Sequence, residues 1–179
     1  MKTRDSAPIS LLFPPNVLPI IDLFRAFGSS DRHGSMATMD NLEPALAALV
    51  GVEAARTAAS DILLFSFALR RKRETPLDFN ALHARVGTAD EYCLLTLLSA
   101  AAGMDDHLME EAIYALRITG ERSLISLAED IAKSLRFLPF KGNFLAADLF
   151  AAVLGSKMHL SSSGTTELVT NYTKFHFPS

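Results

Sequence analysis

Four consecutive cations, Arg70, Arg71, Lys72 and Arg73, form the densest charge feature of the chain. Guanidinium groups can hold a carboxylate or a phosphate through paired hydrogen bonds, so these four residues are a candidate contact for an acidic partner or a phosphate backbone. Cations at the end of a helix also complement the helix dipole, which requires no partner. The dipole interpretation is favoured, because no aromatic residues interleave with the cations to stack on bases.

The segment DDHLMEE, residues 105–111, has the residue types of a metal site. His107 lies three and four residues before Glu110 and Glu111, so these side chains share one helical face. Di-iron bundles use the reverse order, Glu before His, and contribute it twice. Acidic residues at a helix start are the usual dipole complement, and we therefore predict no metal site. If a metal did bind, Glu129 and Asp130 would be the expected additional ligands.

A helix-turn-helix can be drawn through residues 79–98, FNALHARVGTADEYCLLTLL, with Leu82, Val86, Gly87 and Cys93 near the positions that pack such a motif. A position usually taken by a small residue holds His83. The second helix would begin with Asp90 and Glu91, which repel phosphates. A DNA-associated regulator with a basic helix end therefore remains an alternative, and base readout is disfavoured.

The chain offers little for nucleophilic catalysis. Cys93, the one cysteine, falls in an apolar stretch, where a buried thiol has a raised pKa and low reactivity. No Gly-rich loop followed by lysine is present for binding nucleotide phosphates. We assign no catalytic residue and no cofactor, and the residue types favour a protein that is not an enzyme.

The elements that would position these residues are helical. Ala and Leu outnumber Val and Ile several-fold, which favours helix over strand. The 179 residues, 49% of them hydrophobic, suffice for one domain with a substantial core. We predict an all-α fold, a single-domain multi-helix bundle with orthogonal or antiparallel packing. Its expected parts are a flexible lead over residues 1–15, a bundle of six to eight helices over 16–155, and a polar linker with a partly extended tail over 156–179.

The first helix is predicted from Asn16, a good N-cap, to Gly28, a good terminator. Prolines and charges interrupt this apolar segment, so it cannot cross a membrane, and a secretory signal is disfavoured. Its apolar face must dock on the core of the chain or on another subunit. We predict that this face docks a partner, through Val17, Ile20, Ile21, Phe24 and Phe27.

The remaining pattern predicts a mobile loop over residues 29–40 and then a series of helices. The longest, residues 52–73, has an apolar and small-residue seam at three- and four-residue spacing. Thr88 and Glu91 form a capping box that opens a helix apolar on every side, expected at the centre of the fold. Further helices are predicted at 40–51, 78–87, 105–120, 121–138 and 143–155, with 105–120 and 121–138 forming an antiparallel hairpin.

Three functions follow as hypotheses. The first is a non-enzymatic interaction or regulatory module that self-associates and binds a protein partner. Its basis is that the helix from Val17 to Phe27 and the seam from Val52 to Leu69 offer more apolar helix surface than a small bundle needs. The second is the DNA-associated regulator, and the third is a metal- or small-ligand-binding helical enzyme. The single cysteine and the broken leader favour a cytoplasmic protein without a membrane segment.

Overall fold

The computed structural model describes residues 11–28, 35–118 and 122–135, together with Phe150 and Val153. Within these residues the chain forms six helices and one short pair of strands. The all-α fold class predicted from the sequence is thereby confirmed. The elements, in chain order, are β1 (Leu11–Leu12), α1 (Leu18–Gly28), α2 (Ser35–Val50), α3 (Val52–Lys72), β2 (Val86–Gly87), α4 (Ala89–Gly103), α5 (Asp106–Ala115) and α6 (Arg122–Ser134).

Helix α4 is buried along most of its length and packs on α5 and α6. Eleven of its residues are buried, as expected for a helix that is apolar on all sides. The Thr88 capping box opens the helix as predicted: the Thr88 hydroxyl accepts the Glu91 N–H at 3.1 Å, and the Glu91 carboxylate accepts the Thr88 N–H at 2.9 Å. Its tyrosine, Tyr92, is fully buried and stacks on Phe150 with 6.2 Å between ring centroids.

Helices α1, α2 and α3 form one packed group, and α6 joins α3 to α4. The seam predicted on α3 is buried from Ala55 to Leu69, and only its first residue, Val52, is exposed. An edge-to-face contact between Phe24 and Phe65, with centroids 5.8 Å apart, joins α1 to α3. Helices α5 and α6 were predicted to pack on each other as an antiparallel hairpin. This prediction is wrong, because α5 packs mainly on α4 whereas α6 packs on α3 and α4.

Two expectations near the N-terminus differ from the structure. Residues 35–40, expected in a mobile loop, belong to α2. Leu11 and Leu12, expected in the flexible lead, pair antiparallel with Gly87 and Val86 as β1 and β2, and Phe13 is fully buried. The Phe13 ring lies so close to Gly87 that a Cβ at this glycine would overlap it.

Other predictions fall beyond the described residues. Residues 1–10 and the tail at 156–179 lie outside them, so the boundaries of the lead and the tail stay predictions. Of the last predicted helix, 143–155, the structure describes Phe150 and Val153, which are helical and buried.

Candidate functional site

A buried arginine on α1 is the centre of the densest polar network in the described part of the chain. Arg25 is 2% exposed, and all five of its N–H donors have acceptors. It donates to both carboxylate oxygens of Glu91, at 2.7 and 3.0 Å, and to Asp22 Oδ1 at 3.0 Å. The carbonyls of Ala84 and Val86 accept the remaining two bonds. Burial opposes the charge, but Glu91 and Asp22 outweigh it and raise the pKa of Arg25.

The two carboxylates of this network also hold backbone groups of the loop between α3 and α4. Glu91 accepts the N–H of Asn80 at 2.9 Å, and Asp22 accepts the N–H of His83 at 2.9 Å. The His83 ring nitrogen Nδ1 lies 3.0 Å from Asp22 Oδ2, and His83 has a φ of 63°, in the left-handed region. The ion pairs of α1 and α4 therefore determine the path of the loop.

This arrangement explains why the helix predicted over residues 78–87 is absent. The N–H groups of Asp78, Asn80 and His83 donate to carboxylates, and two carbonyls accept from Arg25, so these groups are not available for helical bonds. A helix of this length is marginal on its own. The helix-turn-helix drawn through residues 79–98 consequently lacks its first helix, and the acidic start of α4 points into the protein network.

The four cations of residues 70–73 do not form one uniform surface. Arg70 is exposed and donates to the Gly28 carbonyl at 2.9 Å, and Arg71 is exposed at the end of α3. The side chain of Arg73 is 6% exposed, lies 3.7 Å from Asp90 Oδ2 and donates to the carbonyls of Thr75 and Leu116. Burial lowers the pKa of Arg73, and Arg117 adds to this, whereas Asp90 opposes it. Arg73 therefore connects the end of α3 to α4, and Arg71 is the cation best placed to meet a partner.

The five residues predicted to dock a partner lie inside the chain. Val17, Ile20, Ile21, Phe24 and Phe27 are each no more than 6% exposed. They belong to the same core as α2 and α3. The sequence left two places for this face to dock, the core of the chain or another subunit, and in the structure it packs in the core. This face of α1 is therefore not accessible to a partner in this fold.

Helix α3 also has an exposed apolar face, which the seam pattern does not predict: the pattern places Phe67 in a helix contact with Phe65 and Leu69, but only those two are buried. Leu64 and Phe67 lie three residues apart on this helix, and each is 54% exposed. Arg71 follows one turn after Phe67, and Asp61 precedes Leu64 by one turn. Burial, and the nearby charge of Asp130 on α6, raise the pKa of Asp61. The face therefore has an apolar centre, a cation at one end and, at the other, Asp61 close to Asp130, which is itself paired with Lys133 at 2.9 Å. We call it the α3 face.

The other candidate residues stay separate. His107 Nδ1 lies 3.7 Å from Glu111 Oε1, and the His107 side chain is 84% exposed. Glu129 and Asp130 lie on α6, which packs elsewhere, and no cluster of three potential metal ligands occurs among the described residues. Cys93 is buried in α4, as expected for a core residue.

Comparison with known proteins adds no functional information. No protein-family model matches the chain, and no significant match was found among curated proteins or solved structures. None of the helices described here is both long enough and apolar enough to cross a membrane.

Proposed function

We propose that this protein is a non-enzymatic helical interaction module, acting in the cytoplasm, that self-associates through the α3 face. The observation that carries the proposal is the exposure of Leu64 and Phe67, each 54% accessible, in the C-terminal half of the longest described helix. Adjacent apolar side chains of this size gain free energy when a partner covers them. Helix α1 offers no comparable exposed face, because its apolar side chains are already buried in the core.

The charges on the α3 face favour a second copy of the chain as the partner. In an antiparallel pairing of two α3 helices about a two-fold axis, Leu64 of each copy lies opposite Phe67 of the other. The same operation brings Arg71 of each copy towards Asp61 of the other. Burial and the charge of Asp130 raise the pKa of Asp61, and the incoming cation would favour the ionised form of Asp61. In this pairing apolar side chains meet apolar side chains and opposite charges meet, so the surface is complementary to itself.

Sedimentation velocity over the micromolar range tests the proposal. The wild type is expected to form a dimer, and Leu64→Glu or Phe67→Glu should weaken it by roughly tenfold to a hundredfold, since each apolar side chain contributes about 1.5–3 kcal/mol when buried. Tyr114→Glu is the matched control, because Tyr114 is an 85% exposed aromatic residue on α5 and lies outside the α3 face. Dimerisation that is lost equally in the Tyr114 variant, or retained in both α3 variants, would refute the assignment.

A further inference from the structure

A cavity of about 250 Å³ lies between α1, the C-terminal half of α3 and the loop that follows α3. Apolar side chains form much of its wall: Phe24, Leu69, Leu77 and Phe79. Gly28 contributes to the wall at the end of α1, and the Phe79 ring packs so tightly on it that a Cβ there would overlap the ring. The α3 residues that line the cavity are Ser66, Leu69, Arg70 and Arg73, none of which belongs to the α3 face, so the cavity is a separate site.

Two polar groups on the cavity wall have unused hydrogen-bonding capacity. Ser66 lines the cavity, is 6% exposed, and its hydroxyl is the one buried side-chain polar atom in the described residues without a partner. Arg73 also lines it, with its side chain 6% exposed, and only its Nε and Nη1 donate in the described structure. Nη2 is 3.7 Å from Asp90, beyond hydrogen-bond distance. Buried polar groups are normally satisfied, so this pair indicates an acceptor that the described residues do not supply.

The charge and the size of the cavity restrict the ligand class. Arg70 and Arg73 provide two cations and Glu74 one carboxylate among the lining residues, so the lining is net positive. The volume is between that of a cavity that holds benzene, about 150 Å³, and that of a drug-sized pocket, about 300–1,000 Å³. We propose that this cavity binds a small organic anion, a carboxylate attached to a single ring or a chain of similar size, with the carboxylate at Ser66 and Arg73 and the apolar part against Phe24 and Phe79.

A calorimetric titration with three probes of one shape tests the proposal on the full chain. Benzoate should bind saturably with one site per chain and about tenfold more tightly than benzyl alcohol, because charge-assisted hydrogen bonds are stronger than neutral ones. Benzylamine should not bind. Ser66→Ala should weaken benzoate binding several-fold, and Ser66→Met, which fills the cavity, should abolish it. Ser126→Ala and Ser126→Met, at an exposed position on α6, are the matched controls and should leave binding unchanged.

Amide chemical shifts during the benzoate titration give a second measurement that does not depend on the folding of any variant. The shifts should move at Ser66, Leu69 and Phe79 and stay constant at Val52 and Ser126, which are exposed and do not line the cavity. Absence of saturable benzoate binding, equal binding of benzyl alcohol, or shifts confined to other residues would each overturn the proposal. Because the α3 face does not line the cavity, benzoate binding can be tested whether or not the protein dimerises.

Discussion

Arg25 and Glu91, sixty-six residues apart in the sequence, form a two-pronged ion pair in the interior, with N–O distances of 2.7 and 3.0 Å and side chains 1% and 0% exposed. The pair joins α1 to the start of α4, and its carboxylate also closes the capping box that begins α4. Such a pair need not be more stable than an apolar pair, but removing one member leaves a buried charge without a partner. The stability of this fold is therefore sensitive to single changes at this point.

Arg25→Met should lower the free energy of unfolding by about 3–5 kcal/mol, because it leaves the Asp22 and Glu91 carboxylates buried without their cation. Urea denaturation followed by circular dichroism measures this loss. Arg56→Met is the control: its pair with Glu43 is 3.7 Å long and its side chain is 65% exposed, so the expected change is about 0–1 kcal/mol. Equal losses of unfolding free energy in the two variants would show that the buried network contributes no more to stability than an exposed ion pair.

Ser66→Ala should raise the free energy of unfolding by about 1 kcal/mol, because the buried hydroxyl has no partner among the described residues and alanine removes the cost of its desolvation. Thermal and urea unfolding without ligand measure the change. Thr96→Ala on α4 is the comparison, since the Thr96 hydroxyl is also buried but donates to the Tyr92 carbonyl at 2.9 Å. That variant is expected to be less stable than the wild type; a destabilised Ser66→Ala would contradict the argument.

Asp61→Asn should make the monomer slightly more stable at neutral pH, by less than about 1 kcal/mol. Burial and Asp130 raise the pKa of Asp61 above its ordinary value of 3.8. The carboxylate therefore costs stability above the raised pKa, and this cost disappears as the pH falls through it. Urea unfolding at a series of pH values, at protein concentrations low enough to avoid association, should show the two proteins converging in acid.

The control for this titration is Asp106→Asn, which removes a carboxylate from the first turn of α5. That carboxylate complements the helix dipole, so its loss should lower stability at neutral pH. A gain in both variants, or a difference at Asp61 that is independent of pH, would contradict the assigned origin of the effect.

Gly28→Ala should destabilise the protein by about 1–3 kcal/mol, because the new Cβ would overlap the Phe79 ring and displace the loop that follows α3. Gly103→Ala is the matched control at the end of α4, where a Cβ would meet no atom within 4 Å. It should be neutral or slightly stabilising. Thermal unfolding of the two variants side by side checks the prediction, and a tolerated Gly28→Ala would mean that the Phe79 ring moves freely.

The sequence predicts those elements that local pattern determines. The helix at residues 52–73 matches α3 to within one residue, since its seam repeats over five turns and no proline interrupts it before Pro76. The Thr88 and Glu91 capping box locates the start of α4 for the same local reason. Helix α2 begins before its predicted start. The prediction missed the first residues of this helix because polar residues such as Ser35 and Thr38 show no apolar periodicity.

The site could not be predicted in the same way, because it depends on pairs that are distant in sequence. The loop at residues 78–87 has a helical pattern, but carboxylates of α1 and α4 bind its backbone groups instead. One signal was available: Asp22 and Arg25 lie three residues apart in an otherwise apolar helix, which indicates a polar pair facing the core. Which apolar residues stay exposed, as Leu64 and Phe67 do, follows from the packing of α3 against its neighbours.

The central proposal is tested most directly by swapping the charges at positions 61 and 71 of α3 and measuring the dissociation constant of the dimer. Sedimentation equilibrium would be measured for the wild type, Arg71→Glu, Asp61→Arg and the double variant that carries both changes. In the antiparallel pairing each single change places like charges opposite each other and should weaken the dimer, whereas the double variant restores opposite charges and should recover most of the affinity. A monomeric wild type, or a double variant no tighter than either single variant, would contradict self-association through the α3 face.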